Sequence, residues 1–340
     1  MVDDVMISAV RITLGYSVIF TIFYYFVNLP KYGTATSDII NRGGITCEAN
    51  RTCLDDVGVV GEWVRVGRNR TFAAPFCCGR PTTIWKCSDF FDEYTWQSPN
   101  IPAVFNPVDT CRLLGNSTVL LIGDSTMDQF TLTLENSLWP GKCQTQVTFG
   151  LSDTLVGRSY GRMNRGKVWK ELVEEIKPDI VIVTVGAHIL SDDASYTEIV
   201  DQVLNEMQVM QQENPDLKFA WKTQSPGGCT KDIVSPTDTS MAAKKLNFTD
   251  NSYGKDHYNW YQFYNRDLML LSRLQMVGIP SLDMRMLYSQ SDAHISSQSG
   301  RHIMRGVIDC LHICLPGPLD VVGQLFHQLL LDFHDNQNRS

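Results

Sequence analysis

Along most of the chain, short apolar runs alternate with longer stretches in which apolar residues recur every three to four positions. Val119–Ile122 (VLLI) and Ile180–Val185 (IVIVTV) are bounded by turn residues, which predicts buried strands. Val147–Phe149, Lys218–Lys222 (KFAWK) and the neighbourhood of Pro280–Leu282 predict further strands. Helical spacing covers Met127–Leu138, Val168–Ile176, Tyr196–Gln212, Tyr261–Met276 and a last segment, Leu319–Phe333. Strand alternating with helix predicts an α/β fold, a parallel sheet flanked by helices on both faces. In such a sheet, ligands bind outside the carboxyl ends of the strands. Gly227–Asn259 is polar and irregular and reads as a long loop, and neither an internal repeat nor a low-complexity tract is present.

The pattern breaks in the first third. Ile12–Leu29 is apolar and free of charge, and its eighteen residues reach roughly 27 Å as a helix, enough to span a bilayer core. Tyr16, Tyr24 and Tyr25 suit interfacial depth. A membrane anchor is the leading reading; a signal peptide cleaved near Thr34–Ser37 and a core helix are the alternatives. Lys31–Thr110 is rich in Cys, Gly, Pro and Trp and poor in periodic runs, an irregular collar tied by disulfides. The expected organisation is a cytoplasmic tail and anchor over residues 1–30, a Cys-rich subdomain over 31–110 and the α/β domain over 111–335.

Composition fixes the compartment more than the fold. Asn50, Asn69, Asn116, Asn247 and Asn338 each begin an Asn-x-Ser/Thr glycosylation acceptor, all of them beyond the apolar stretch. With ten cysteines in 340 residues, they place the body in an oxidising lumen. The topology expected is a single-pass type II glycoprotein of the Golgi or secretory pathway. The net charge of −8, without a Lys/Arg run, gives no nucleic-acid footprint.

Three predicted strand ends and turns carry chemistry. Gly123-Asp124-Ser125-Thr126 follows VLLI and precedes a helical pattern, which exposes a serine hydroxyl at a helix N-terminus, where free N–H groups favour an oxyanion. The plain alternative is that Asp124 or Ser125 is only an N-cap. Asp309 and His312 lie three apart, so the carboxylate can hold one imidazole nitrogen and leave the other free, the orienting pair a serine nucleophile needs. A surface turn is the alternative. Gly186-Ala187-His188 ends IVIVTV, with backbone open to a substrate and a side chain able to donate to an oxyanion. The order Ser…Asp…His fits serine hydrolysis on an α/β sheet.

These residues resemble the PC-esterase group of SGNH/GDSL-type hydrolases, and within it the plant trichome-birefringence-like polysaccharide O-acetyltransferases. Asp309 to Asp320 (DCLHICLPGPLD) is similar to that family's DCxHWCLPGxPD signature. Leu282-Asp283 through Asp292–Ser296 resembles LLDIT…LRxDAHPS, and Lys222–Pro226 resembles RTxSP. Gly61–Val64, Cys78–Pro81 and Trp96–Pro99 are similar to the family's N-terminal GxWV, NGRPD and WRWQP elements, so the likeness runs from about Cys53 to Phe333. It implies an SGNH-hydrolase-like sheet with Ser125 as nucleophile, His312 as base and Asp309 as its orienter. It implies Asp124 beside the serine turn, and Gly150, Gly186 and His188 as oxyanion-side residues. His188 stands where SGNH enzymes carry asparagine, and the plant branch shows GHWW. Ile313 replaces the Trp of HWC, and Leu319-Asp320 with its neighbours replaces PDTWN, which points to a divergent acceptor surface. His294 is the competing histidine. The resemblance also implies bridges from Cys310 and Cys314, one to the Cys77/Cys78/Cys87 collar and the other to Cys229.

The function expected is a membrane-anchored acyl(acetyl)transferase that modifies glycan hydroxyls through an acyl-enzyme. The alternatives are a carbohydrate O-acyl esterase with the same triad and a catalytically silent glycan-binding protein. No bound cofactor is expected, with an acyl donor such as acetyl-CoA as co-substrate. The spacing CxxHxC, without a second CxxC, argues against zinc, so no metal is expected.

Overall fold

A computed structural model describes residues 62–65, 85, 94–99, 105–160, 164–227, 258–289, 294, 309, 311–315 and 317–339. All of them belong to the compact unit Val57–Ser340. The apolar stretch Ile12–Leu29, the sequons at Asn50, Asn69 and Asn247, and Cys47, Cys53, Cys77, Cys78, Cys87, Cys229 and Cys310 lie outside the described residues. Among the described residues, no helix is long and apolar enough to cross a membrane.

Two short strands, β1 (Glu62–Arg65) and β2 (Tyr94–Gln97), pair antiparallel, and Trp63 meets Trp96 edge to face across them. Helix α1 (Pro107–Leu114) follows and runs across the 110/111 division drawn from composition. Its start is local chemistry: Asn106 caps the N–H groups of Val108 and Asp109, and Pro107 at the first position lacks an N–H to satisfy. Then come β3 (Thr118–Gly123), α2 (Ser125–Leu138), β4 (Gln146–Leu151), α3 (Trp169–Ile176), β5 (Ile180–Val183), α4 (Asp193–Glu213), β6 (Lys218–Lys222), α5 (Trp260–Val277), β7 (Ser281–Leu282) and α6 (Val322–Arg339).

The sheet has the order β4-β3-β5-β6-β7 and every pair is parallel, so the expected α/β architecture is present. The alternation along β3 sorts the layers. Val119 and Leu121 face α2 and α6 through Phe130, Leu134, Phe326 and Leu330. Leu120 and Ile122 face α3, α4 and α5 through Trp169, Leu172, Val200 and Leu270. Both faces being covered is why the strands read as unbroken apolar runs. Helix α2 is buried although it carries Thr131, Thr133 and Ser137, because each hydroxyl donates to the carbonyl four residues back.

A disulfide joins Cys111 on α1 to Cys143 ahead of β4, a pairing the sequence reading does not contain. Cys314 is also disulfide-bonded, and no described cysteine is free. Asn116, in the turn between α1 and β3, is exposed.

Strand β3 decides where a ligand sits. The chain leaves it for β4 on one side and returns to β5 on the other, so the crevice at the strand-order reversal opens at the carboxyl end of β3. Gly123, Asp124 and Ser125 occupy that point.

Candidate active site

The turn from β3 into α2 is held by Asp124. Its fully buried carboxylate accepts from the Thr126 N–H at 2.8 Å and the Thr126 hydroxyl at 2.7 Å. This is an N-cap, and it leaves Ser125 partly exposed as the first helical residue. The cap and the exposed serine are therefore one structure, with Asp124 holding the turn and Ser125 presented by it. Gly123 is needed for close approach, since a Cβ there would come within 2.6 Å of the side chain of Thr184, the residue after β5.

The Asp-x-x-His turn has the geometry its spacing predicts. His312 Nδ1 lies 3.0 Å from Asp309 Oδ2 and 3.1 Å from Oδ1. Asp309 also accepts from the backbone N–H of Leu311 and of His312. Burial alone would raise the Asp309 carboxyl, but the bond from His312, its charge and the two backbone donors bring it down to about 2. His312 Nε2 is buried and has no hydrogen-bond partner. Trp85 stacks on the imidazole at 5.7 Å and 30°, and its carbonyl accepts from Leu315 N–H.

Two links carry this turn to the strand ends. Leu311 packs with Ala187, next to His188, and with Phe263. The Gln129 amide, one turn along α2 from Ser125, bonds both backbone groups of Ile313. The Asp309–His312 turn is thus tied to α2, the helix that Ser125 begins, and to the segment that follows β5.

The remaining candidates separate. Gly186 is at the β5 end, and the Gln224 amide lies so close that a Cβ would approach it within 2.4 Å. His188 is nearly buried, and its Nε2 lies 3.5 Å from Asp153 Oδ1. Asp153 follows β4, and β3 separates β4 from β5, so this contact spans the carboxyl end of β3 beside the Ser125 turn. Arg165 clamps Asp153 with Nε at 2.9 Å and Nη2 at 3.2 Å, and the hydrogen bond to Asp153, more than its charge, raises the guanidinium pKa against the cost of burial. Gly150 is the last residue but one of β4, opposite Ile122, and the space beside it is filled by Leu172 at 2.8 Å from an added Cβ, so it packs α3 onto the sheet.

His294 is wholly buried. Its Nε2 donates to the Pro226 carbonyl at 2.7 Å, and it bridges Ile313 antiparallel. It joins the end of β6 to the segment that carries His312. His294→Ala is expected to cost about 2–4 kcal/mol through the lost buried bond and the cavity. Acylation per folded molecule should persist, measured by thermal unfolding alongside active-site titration.

No protein-family model and no curated protein sequence matches this chain. Solved structures similar to it share little sequence. One is the periplasmic domain of the Salmonella ser. Paratyphi A lipopolysaccharide acetyltransferase, with TM-score 0.41 and 11% identity over 65% of this chain and 84% of that one. Another is a putative GDSL-like lipase from Parabacteroides merdae ATCC 43184, with TM-score 0.39 and 13% identity over 64% and 97%. A third is the acetyl xylan esterase AlAXEase, with TM-score 0.36 and 15% identity over 64% and 98%.

Behind the Ser125 turn lies a polar cluster around Lys222, which sequence reading placed only as a strand end and as part of a motif. Lys222, at the end of β6, is fully buried; desolvation lowers its pKa to about 8 against the pull of Asp124 and Asp267. Its Nζ donates to the Thr223 carbonyl at 3.0 Å. Asp267 on α5 accepts from Gln224 N–H at 2.9 Å, and burial pushes its carboxyl well above the usual range. Because the folded pKa is raised, the stability Asp267 contributes is full below about pH 4 and is lost as pH rises through the folded value. Asp267→Asn keeps the acceptor for Gln224 and removes that loss. Its melting temperature relative to the parent should climb as pH rises above about 4, measured across a pH series. Among the described residues, no group of three or more His, Cys, Asp or Glu is placed to hold a metal.

Proposed function

We propose that this chain is an acyl-ester enzyme of the SGNH/GDSL type that transfers an acetyl group to a glycan hydroxyl, with Ser125, His312 and Asp309 as its triad. The observation that carries the reading is the Asp309–His312 pair: one imidazole nitrogen held by an ionised carboxylate, the other buried and open. Ser125 at the strand-order reversal supports it.

Ser125 Oγ attacks the acyl carbonyl as its proton passes to His312 Nε2. The leaving group takes that proton and departs, with Ser125 left as the ester. A sugar hydroxyl then gives its proton to Nε2 and its oxygen attacks the ester carbonyl; Ser125 Oγ is released and takes the proton back. The carbonyl oxygen that becomes negative is met by the Ser125 N–H in the first turn of α2, with Gly186 and His188 on the β5 side. Asp309 stays ionised throughout, which favours the Nδ1–H tautomer that leaves Nε2 as base. Acetyl-CoA or another activated ester supplies the acyl group. The body works on the lumenal side of the secretory pathway, held by Ile12–Leu29; the oxidised cysteines and the exposed Asn116 support that placement.

The test incubates the full chain with an aryl acetate or acetyl-CoA, with and without oligosaccharide acceptors, and weighs the products by mass spectrometry. Acetylated oligosaccharide is the expected product. Free acetate at the same rate with and without acceptor would make the protein an esterase. No acetyl on the protein, acceptor or water would overturn the triad reading.

A further inference from the structure

We infer that Gln129 is a positioning residue that fixes the catalytic base relative to the nucleophile; this rests on the triad reading above. Gln129 is almost fully buried on α2, four residues after Ser125. Residues four apart lie on one face of a helix, about 6 Å apart along the axis. Gln129 Nε2 donates to the Ile313 carbonyl at 2.6 Å, and the Ile313 N–H donates back to Gln129 Oε1 at 3.1 Å. The side-chain amide thus forms the paired bonds a neighbouring strand would form. The bridge to His294 involves the same residue, Ile313.

Ile313 is the residue after His312, so the helix that begins with Ser125 also grips the backbone that carries the base. The two partners come from segments 184 residues apart, and this clasp ties them directly. An apolar residue at 129 would leave two buried backbone groups of Ile313 without these partners. The His312 backbone is then free to drift, and serine-to-imidazole proton transfer is sensitive to displacements of about 1 Å.

Gln129→Met keeps length and apolar bulk and deletes both bonds. Its acylation rate on an aryl acetate should fall about 100-fold, with KM near that of the parent and the folded protein still accumulating. The deciding measurement is a double-mutant cycle with His312→Ala, read by the same acylation rate. If Gln129 acts through the base, Gln129→Met will cost nothing further once His312 is gone. An equal loss in both backgrounds, or no loss in the parent, overturns the assignment. Should Gln129→Met fail to fold, Gln129→Glu, which keeps an acceptor for the Ile313 N–H, carries the same cycle. Ser125→Ala run in parallel reads the triad itself: if it still acylates, the nucleophile is wrong whatever Gln129 does.

Discussion

Replacing Ser125 by Ala is expected to abolish acyl-enzyme formation, and the double variant with His312→Ala should be no worse than either single one. In the proposed triad the two side chains act as one unit: without Oγ no ester forms, and without Nε2 the Oγ proton has no acceptor. In serine enzymes of this chemistry, losing either member costs about 10⁶ in turnover, and the losses do not add. Ser125 is partly exposed at the first position of α2, and the cap bonds to Thr126 come from Asp124, so the alanine variant keeps its helix start. The checks are intact-mass detection of an acetylated protein after quenching, and turnover of an aryl acetate. An acetyl group retained on Ser125→Ala would move the nucleophile elsewhere.

The second large effect is expected at Asp309. Its carboxylate accepts from His312 Nδ1 and from two backbone N–H groups, and a carboxylate can serve all three because both oxygens are acceptors. An asparagine has one acceptor oxygen. It will keep that oxygen on the backbone donors and present its NH₂ to the imidazole. Nδ1 must then accept, the proton moves to Nε2, and the base is lost. Asp309→Asn should therefore fold and still lose about 10⁴ in kcat, as an analogous change does in chymotrypsin-type triads. In the parent, Asp309 is held at about 2, so its ionisation does not limit activity near neutrality. A lowered carboxyl contributes stability above its unfolded value and loses it as pH falls through the folded value. Part of the acid unfolding between about pH 4 and pH 2 should thus be missing in the asparagine variant. The asparagine variant should not recover the rate at any pH, because the tautomer and not the protonation of Asp309 is what it changes.

The structure also separates the two histidines that compete for the role of base in the proposed triad. From sequence, Asp309–His312 and the Asp292–His294 segment compete, since each places a carboxylate near an imidazole. Burial and one long-range bond separate them: His294 spends Nε2 on the Pro226 carbonyl, 68 residues away, while His312 keeps Nε2 open. No local pattern encodes the Pro226 carbonyl, so the distinction was not available from spacing.

What the sequence determined by itself is what depends on near neighbours. The runs VLLI and IVIVTV specify buried parallel strands because both sheet faces are covered. The turn Gly123–Ser125 exposes its serine because a strand that enters a helix has one N-cap, and Asp124 fills it. Asp309 and His312 meet because three residues of turn bring a carboxylate to an imidazole. Helix α1 was not read from the sequence: its local signal, the Asn106 cap and Pro107, was masked by the surrounding Cys-rich texture. The tertiary structure decided the rest. Gly150 faces Leu172 because strand register sets it inside the sheet. Asp153, Arg165 and His188 converge because β4 and β5 flank β3. Lys222 is buried because β6 lies inside the sheet, between β5 and β7. Gln129 finds Ile313 across 184 residues. Each of these contacts joins segments whose proximity follows from strand order and helix packing, and neither is written in any one stretch of chain.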